Sequence, residues 1–412
     1  MGEARQAADY LRRANIVVGI PGGRDAGAVR ATMHAAAHGL WRYFPHETAA
    51  IAAGGADTGL SHAGGESLER RYPCLHMGTR AGSADIARSR DFRLIFELAE
   101  AVHARAVVIL DPESGIAATE NVEALLRPVL LGSYDLAAPR YPGGPCEGLI
   151  PALFLYPLGR ALYGAFPRNP AGPDFGASAR LARRLAAFEW DTGAGPVWPE
   201  IAASTAAAAE GFRVAETCLE RRPAPRYGAR EAMERAAAAS FALMARYESV
   251  WPRRTSGDAM EVFGQPEPAA RGGSEDAPAG RWEEAFRTAR EEMGPVWAEI
   301  LDPETAARVR GGGSGAMWMT DGLWARLVFE FALAHRQRAF TGSWIPAAIA
   351  PLYLARAAAF ARACEADSDV EERIERGRAM FEAVKPGAAA RWPGCTAAPM
   401  RRGFGGMQTT ED

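Results

Sequence analysis

The stretch Arg105-Ala106-Val107-Val108-Ile109-Leu110-Asp111-Pro112-Glu113 decides the fold that we predict for this chain. Its apolar run is too short for a helix and rich in β-branched side chains, which indicates a strand buried on both faces. Pro112 should end the strand, because it has no N–H to donate and biases the preceding residue toward an extended backbone. Asp111 and Glu113 then lie at the carboxyl end of a central strand, where open α/β sheets bind their ligands.

Two carboxylates one residue apart are hard oxygen ligands, suited to a Mg²⁺ or Mn²⁺ ion that bridges a diphosphate. The alternative is a solvated turn after a strand, and the D-x-E spacing alone does not decide between them. Without a cation the like charges of Asp111 and Glu113 should repel each other. Replacing both by amides is therefore expected to leave the fold intact.

Composition limits the class of protein. The chain has 412 residues, of which 48% are apolar and 24% charged, which is typical of a soluble globular protein. A net charge of −3 and a pI near 6.2 argue against a nucleic-acid-binding surface. Five cysteines lie far apart and give neither a zinc site nor a disulfide framework, which suits a cytoplasmic location. We expect no membrane span, since no uncharged apolar stretch is long enough.

Strands and helices alternate up to about residue 222, and helices alone follow. A strand over 15–21 leads through a Gly-rich turn into a helix over 28–43, a second strand covers 49–53, and further strands cover 134–140 and 212–219. The residues 169–176 are expected to form a turn-rich loop. The pattern predicts an α/β domain over 1–222, a helical domain over 223–385 and a flexible tail over 386–412.

With its strands, helices and loops in this order, the sequence resembles the family-2-like glycosyltransferases of GT-A fold. Within that family it is most similar to the bacterial group around mannosylglycerate synthase and glucosyl-3-phosphoglycerate synthase. The resemblance covers nearly the whole chain, and its best-matching pieces are 16–21, 106–113, 156–164, 174–176 and 209–214. It implies a Rossmann-like, mostly parallel sheet with helices on both faces, followed by a C-terminal helical domain.

The resemblance also implies roles for individual residues. Pro21, Asp25 and Asp57 would help to hold a nucleotide, and Arg88 replaces a basic loop residue that neutralises phosphate. Asp111 and Glu113 match the metal-binding Asp-x-Asp motif. Two further acids, Asp174 and Glu200, match loops that in this family orient the molecule that accepts the sugar.

Two positions depart from the family pattern. Ala52 stands where an aspartate accepts a hydrogen bond from the base, and Ala224 stands where a histidine completes the metal site. The loss of one ligand weakens a Mg²⁺ site without abolishing it, because the ion keeps water and phosphate oxygens.

The resemblance implies transfer of a sugar, with retained anomeric configuration, from a nucleoside diphosphate sugar to a small hydroxylated acceptor such as a glycerate. A bound Mg²⁺ or Mn²⁺ ion would assist this transfer. The losses at Ala52 and Ala224 motivate an alternative, a catalytically impaired relative that pairs with an active glycosyltransferase or forms a homodimer. Another sugar-nucleotide reaction on the same fold is the third hypothesis.

Overall fold

Eight strands form one mixed sheet in the order β3-β2-β1-β4-β6-β5-β7-β8 in the computed structural model. It describes residues 13–23, 25–55, 71–77, 84–114, 119–143, 147–190, 198–255, 257, 259–265, 279–312, 318–337, 344–366 and 369–393. The strands are β1 (Ile16–Gly23), β2 (Ala49–Gly55), β3 (Cys74–Met77), β4 (Ala106–Ile109), β5 (Leu136–Arg140), β6 (Phe175–Ser178), β7 (Val214–Cys218) and β8 (Val262–Phe263). Neighbouring strands are parallel except at β6, which is antiparallel to both β4 and β5.

Helices cover the sheet and then continue alone. Those between the strands are α1 (Ala26–Tyr43), α2 (Ala84–Ala101), α3 (Thr119–Leu130), α4 (Tyr156–Tyr163), α5 (Ala179–Ala186), α6 (Pro199–Ala209) and α7 (Ala229–Arg246). Those after the sheet are α8 (Ala279–Ile300), α9 (Pro303–Gly311), α10 (Asp321–Gln337), α11 (Trp344–Ala366) and α12 (Val370–Arg391).

The central strand β4 is buried on both faces, as its apolar run predicts. Val108 and Leu110 pack into the core under α1 and α3, whereas Val107 and Ile109 belong to the core on the opposite face. Successive side chains of a strand point to opposite faces, so a run without polar alternation must be covered twice. The mostly parallel sheet with helices on both faces and helices after it confirms the predicted fold class.

Three strands were not predicted. The strand β6 begins in the last two residues of the predicted turn-rich loop and extends beyond it, and it pairs Phe175 with Ile109 of β4. The strand β3 lies where the sequence shows no clear pattern, and β8 has only two residues. A short strand in the middle of a sheet owes its pairing to neighbours far away in sequence, and local patterns do not show those neighbours.

One core spans the predicted boundary at residue 222, and the division into two domains stays a prediction. One continuous core contains Phe92 beside the sheet together with Trp324 and Phe381 of the helices. The strand β8 adds to the sheet from beyond the boundary. The predicted tail begins inside α12, which runs on to Arg391, and Ala388 and Ala389 near its end pack against the core. The residues 394–412 lie outside the described part.

Within the described residues, one helix is long and apolar enough to cross a membrane by length and composition. It covers Trp344–Cys364 of α11, with a mean hydropathy of 1.3 over its best window, and 83% of that window is buried inside the protein. Its apolar surface is thus covered by other helices, chiefly α8 and α7. A buried core helix passes the same length test.

Candidate functional site at the carboxyl end of β4

Asp111 follows β4 at the point where the strand order reverses. The chain builds β1, β2 and β3 on one side and then returns to place β4 on the other side of β1. Crevices at such switch points, beyond the carboxyl ends of the strands, are the usual ligand sites of open α/β sheets. The side chain of Asp111 is fully buried there.

The antiparallel strand β6 brings a second acid to the same place. Ile109 is paired with Phe175, so the residues just beyond this pair, Asp111 and Asp174, lie near each other. The backbone N–H of Asp111 donates a hydrogen bond of 2.7 Å to Oδ1 of Asp174. The carboxylate of Asp111 in turn accepts a hydrogen bond of 2.8 Å from the N–H of Glu113, which fixes the turn after Pro112.

Arg88 of α2 joins two of these acids. Its Nη2 donates to Oδ2 of Asp111 at 2.9 Å and also to Oε1 of Glu200. Glu200 stands in the first turn of α6, where the helix dipole favours a negative charge. The predicted site residues Arg88, Asp111, Asp174 and Glu200 are therefore brought together from four different elements.

A second arginine was missed by sequence reasoning. Arg226 lies in the loop between β7 and α7, and its Nη2 forms an ion pair with Oδ2 of Asp111. Its Nε lies 3.5 Å from Oε2 of Glu113. The loop contains Pro and Arg without any periodic pattern, so its sequence gives no signal that an arginine there reaches the end of β4.

Burial acts strongly on Asp174. The carboxyl group is fully enclosed, and this burial raises its pKa from 3.8 to about 8, opposed by the nearby Arg88 and reinforced by Glu200. Transfer of a carboxylate out of water disfavours its charged form. At neutral pH, Asp174 is therefore mostly a neutral acid, which can donate as well as accept a hydrogen bond.

Buried polar atoms without a hydrogen-bond partner collect in this group. Among the described residues, four such atoms lie here and others lie elsewhere in the protein; the four are Nε of Arg88, Oδ2 of Asp174, Oε2 of Glu200 and the hydroxyl of Tyr141. Tyr141 follows β5, interacts electrostatically with Asp174 and Glu200, and was also missed by sequence reasoning. Buried polar groups in proteins are nearly always paired, so such a cluster is typical of a place where a polar ligand binds.

The solvent exposure of the side chains rises from one side of the site to the other. The side chains of Glu200 and Arg88 are 1% and 10% exposed, whereas those of Arg226 and Glu113 are 21% and 30% exposed. A ligand that arrives from solvent therefore meets Arg226 and Glu113 first.

Asp91 is a further buried acid at the ends of β1 and β2. Its Oδ2 accepts a hydrogen bond of 2.7 Å from the N–H of Gly22. A Cβ atom added to Gly54 would lie only 2.2 Å from the same oxygen, so this carboxylate packs directly against the backbone of β2.

The remaining predicted nucleotide contacts are not part of this group. Pro21 is buried near the end of β1. Asp25 caps α1, where Oδ1 accepts a hydrogen bond of 2.7 Å from the N–H of Gly27. Asp57 lies outside the described residues. At the two positions that depart from the family pattern, Ala52 is buried in the core and Ala224 is exposed.

The donor set does not fit a resident divalent cation. Oδ2 of Asp111 contacts two guanidinium groups, Oδ1 accepts from the N–H of Glu113, and Arg226 lies against both predicted ligands. No group of three or more His, Cys, Asp and Glu suited to a metal ion occurs within the part of the chain that the structure describes. A cation at Asp111 and Glu113 would compete with Arg226 for the same oxygens.

Comparison with known proteins gives structural matches only. No protein-family model and no curated protein sequence matches the chain. Glucosyl-3-phosphoglycerate synthase from Mycobacterium tuberculosis in complex with phosphoglyceric acid is 17% identical, with 60% of this chain and 83% of that chain covered and a TM-score of 0.38. The same enzyme in complex with Mn²⁺, uridine-diphosphate-glucose and phosphoglyceric acid is 18% identical over the same shares, again with a TM-score of 0.38.

Proposed function

We propose that this protein is a glycosyltransferase that moves a sugar from a nucleoside diphosphate sugar to a small hydroxylated acceptor such as a glycerate. The observation that supports the proposal is the buried group of Arg88, Asp111, Asp174 and Glu200 at the switch point of the sheet, with polar atoms that lack partners. A site of this kind offers a cation for a diphosphate and hydrogen-bonding groups for hydroxyls.

Arg88 would stabilise the leaving group. As the bond between the anomeric carbon and the diphosphate oxygen breaks, negative charge grows on the nucleoside diphosphate. A buried guanidinium that is already held in place by Asp111 and Glu200 needs little reorganisation to stabilise that charge. We assign no protein nucleophile, so the new bond forms directly between the anomeric carbon and the acceptor oxygen, and the proton of that hydroxyl passes to the departing diphosphate.

Asp174, Glu200 and Tyr141 would orient the acceptor. Oε2 of Glu200 can accept a hydrogen bond from an acceptor hydroxyl, and neutral Asp174 can donate one through Oδ2. The free energy that their burial costs is recovered when a ligand supplies the missing partners. Correct placement of the hydroxyl then lowers the barrier by fixing the reacting atoms in position.

Calorimetric titration tests the proposal directly. The purified chain is titrated with UDP-, GDP- and ADP-glucose, each with Mn²⁺ and with EDTA, and turnover is followed with glycerate and 3-phosphoglycerate as acceptors. We expect at least one donor to bind and to be consumed only when an acceptor is present. If no donor binds under either condition, the proposal is wrong.

A non-catalytic partner protein is the second candidate. It is favoured by the full ion pairing of Asp111, whose two oxygens are already engaged by Arg88, Arg226 and Glu113. Multiple turnovers by the purified chain alone would exclude this candidate. Donor binding without turnover, together with capture of an active glycosyltransferase, would support it. The cytoplasmic location and the oligomeric state stay predictions from sequence.

A further inference from the structure

Arg226 occupies the position between the two carboxylates that the sequence predicts as metal ligands. It forms an ion pair with Asp111, and its Nε lies 3.5 Å from Oε2 of Glu113. The site thus already contains a positive charge, held by the same oxygens that a divalent cation would use.

The loop that carries Arg226 is fixed to the rest of the site. The next residue, Tyr227, packs edge-on against Trp198 with ring centroids 5.9 Å apart. Trp198 caps α6 two residues before Glu200. The aromatic contact therefore ties the position of Arg226 to the helix that supplies Glu200, and the guanidinium need not be ordered anew when a ligand binds.

The chemistry of the guanidinium suits a diphosphate. It carries five N–H donors in a planar fork, so one edge can hold a carboxylate while another donates to a phosphate oxygen. Arg226 is 21% exposed, more than Arg88 at 10%, and so it is the arginine of the pair that solvent reaches more readily. Together the two arginines carry two positive charges, which in the unliganded protein face the carboxylates of Asp111, Glu113 and Glu200.

We propose that Arg226 takes the place of a divalent cation, so that a nucleoside diphosphate binds to Arg226 and Arg88 without metal. Asp111 and Glu113 then serve to hold Arg226 and not to ligate an ion. This inference rests on the proposed function, because it names how the diphosphate of the donor is bound.

The test is calorimetric titration with UDP, GDP, ADP and CDP, each in EDTA and in Mn²⁺. For the wild type we expect affinity for the preferred diphosphate to be the same within about threefold under both conditions. Arg226→Gln should weaken binding in EDTA by about ten- to a hundredfold, the value of a charge-assisted hydrogen bond. The same variant exposes two carboxylates, so Mn²⁺ should restore part of its affinity.

Two further variants keep the test decisive. Arg226→Lys retains the charge without the fork, so it should bind more weakly than the wild type yet remain insensitive to EDTA. Arg336→Gln is the matched control, since Arg336 also pairs with a carboxylate, Glu248, but in the helical part of the protein. It should leave binding unchanged.

The outcomes separate this inference from the proposed function. Binding of a diphosphate by the wild type only in Mn²⁺ would overturn the inference and leave the glycosyltransferase proposal standing. Binding in EDTA that Arg226→Gln does not weaken would also overturn it. If neither nucleoside diphosphates nor their sugars bind under any condition, both the proposed function and the inference are wrong.

Discussion

Oδ1 of Asp174 accepts a hydrogen bond from the backbone N–H of Asp111, with 2.7 Å between the two atoms. The bond joins the residue before the antiparallel strand β6 to the residue that follows Leu110 at the end of β4. It leaves Oδ2 of Asp174 buried and without a partner in the described part of the chain. The acid is therefore part of the local architecture as well as a candidate ligand group.

The pH dependence of stability should reveal the raised pKa of Asp174. Its folded pKa of about 8 lies above the ordinary 3.8, so between these values the folded protein binds more protons than the unfolded one. The free energy of unfolding should then fall as pH rises from about 4 to 8, by at most about 1.4 kcal/mol per pH unit, and level off above. Asp174→Asn keeps the acceptor oxygen and does not titrate. Urea unfolding of the wild type and of Asp174→Asn between pH 4 and 8 measures how the free energy of unfolding of each depends on pH. Parallel profiles for the two proteins would contradict the raised pKa of Asp174.

Asp111 and Glu113 should differ sharply in their contribution to stability. Asp111→Asn leaves the guanidinium groups of Arg88 and Arg226 without their shared carboxylate, so we expect a loss of about 3–5 kcal/mol in the free energy of unfolding. Glu113→Gln removes a partly exposed charge and should cost less than about 1 kcal/mol. Urea unfolding of each single variant is the measurement.

The same pair of variants tests the expectation from sequence. Without the arginines, two adjacent carboxylates would repel, and amides would leave the fold intact. In the structure Arg226 lies against both acids, so their neutralisation removes attraction and not repulsion. A double variant as stable as the wild type would show that these ion pairs contribute nothing.

The central strands could be predicted because their signal is local. The apolar run before Asp111 specifies a strand buried on both faces, and β4 is such a strand. The antiparallel strand β6 could not be predicted, because its residues Phe175–Ser178 follow a Pro- and Gly-rich segment. Their pairing depends on Ile109 and other residues far away in sequence.

Asp111 was predicted from the strand that precedes it as well as from the resemblance, and Arg88, Asp174 and Glu200 from the resemblance alone, whereas Arg226 was not predicted. Arg88, Asp111, Asp174 and Glu200 match motif positions, and the structure brings them together. Arg226 lies 115 residues from Asp111 in a loop without periodicity. Contacts of this kind depend on the tertiary fold, and composition or spacing gives no signal for them.

Gly54 should tolerate no side chain, because a Cβ atom there would lie 2.2 Å from Oδ2 of Asp91. Gly54→Ala would force this buried carboxylate away and break its hydrogen bond to the N–H of Gly22, so we expect a loss of about 1–3 kcal/mol. Gly280→Ala is the control in the first turn of α8, where a Cβ atom meets nothing within 4 Å. It should leave stability unchanged or raise it by up to about 1 kcal/mol. Thermal unfolding compares the two, and equal melting temperatures would contradict the packing of Asp91.

Tyr141→Phe should separate ligand binding from stability. The hydroxyl is buried with no partner of good hydrogen-bond geometry among the described residues, although Asp174 lies beside it. Burial raises the pKa of Tyr141 well above its ordinary value, so the phenol stays neutral and keeps its proton for donation.

Removal of this buried hydroxyl loses only a contact with the backbone of Asp174 that lacks good hydrogen-bond geometry, so the melting temperature should stay unchanged or rise slightly. If the hydroxyl binds an acceptor or sugar oxygen, KM for that substrate should rise by up to about tenfold, the value of one hydrogen bond. Steady-state kinetics with each substrate varied in turn identifies which one Tyr141 contacts. A variant that loses stability while both KM values stay unchanged would show that Tyr141 only fills space beside Asp174.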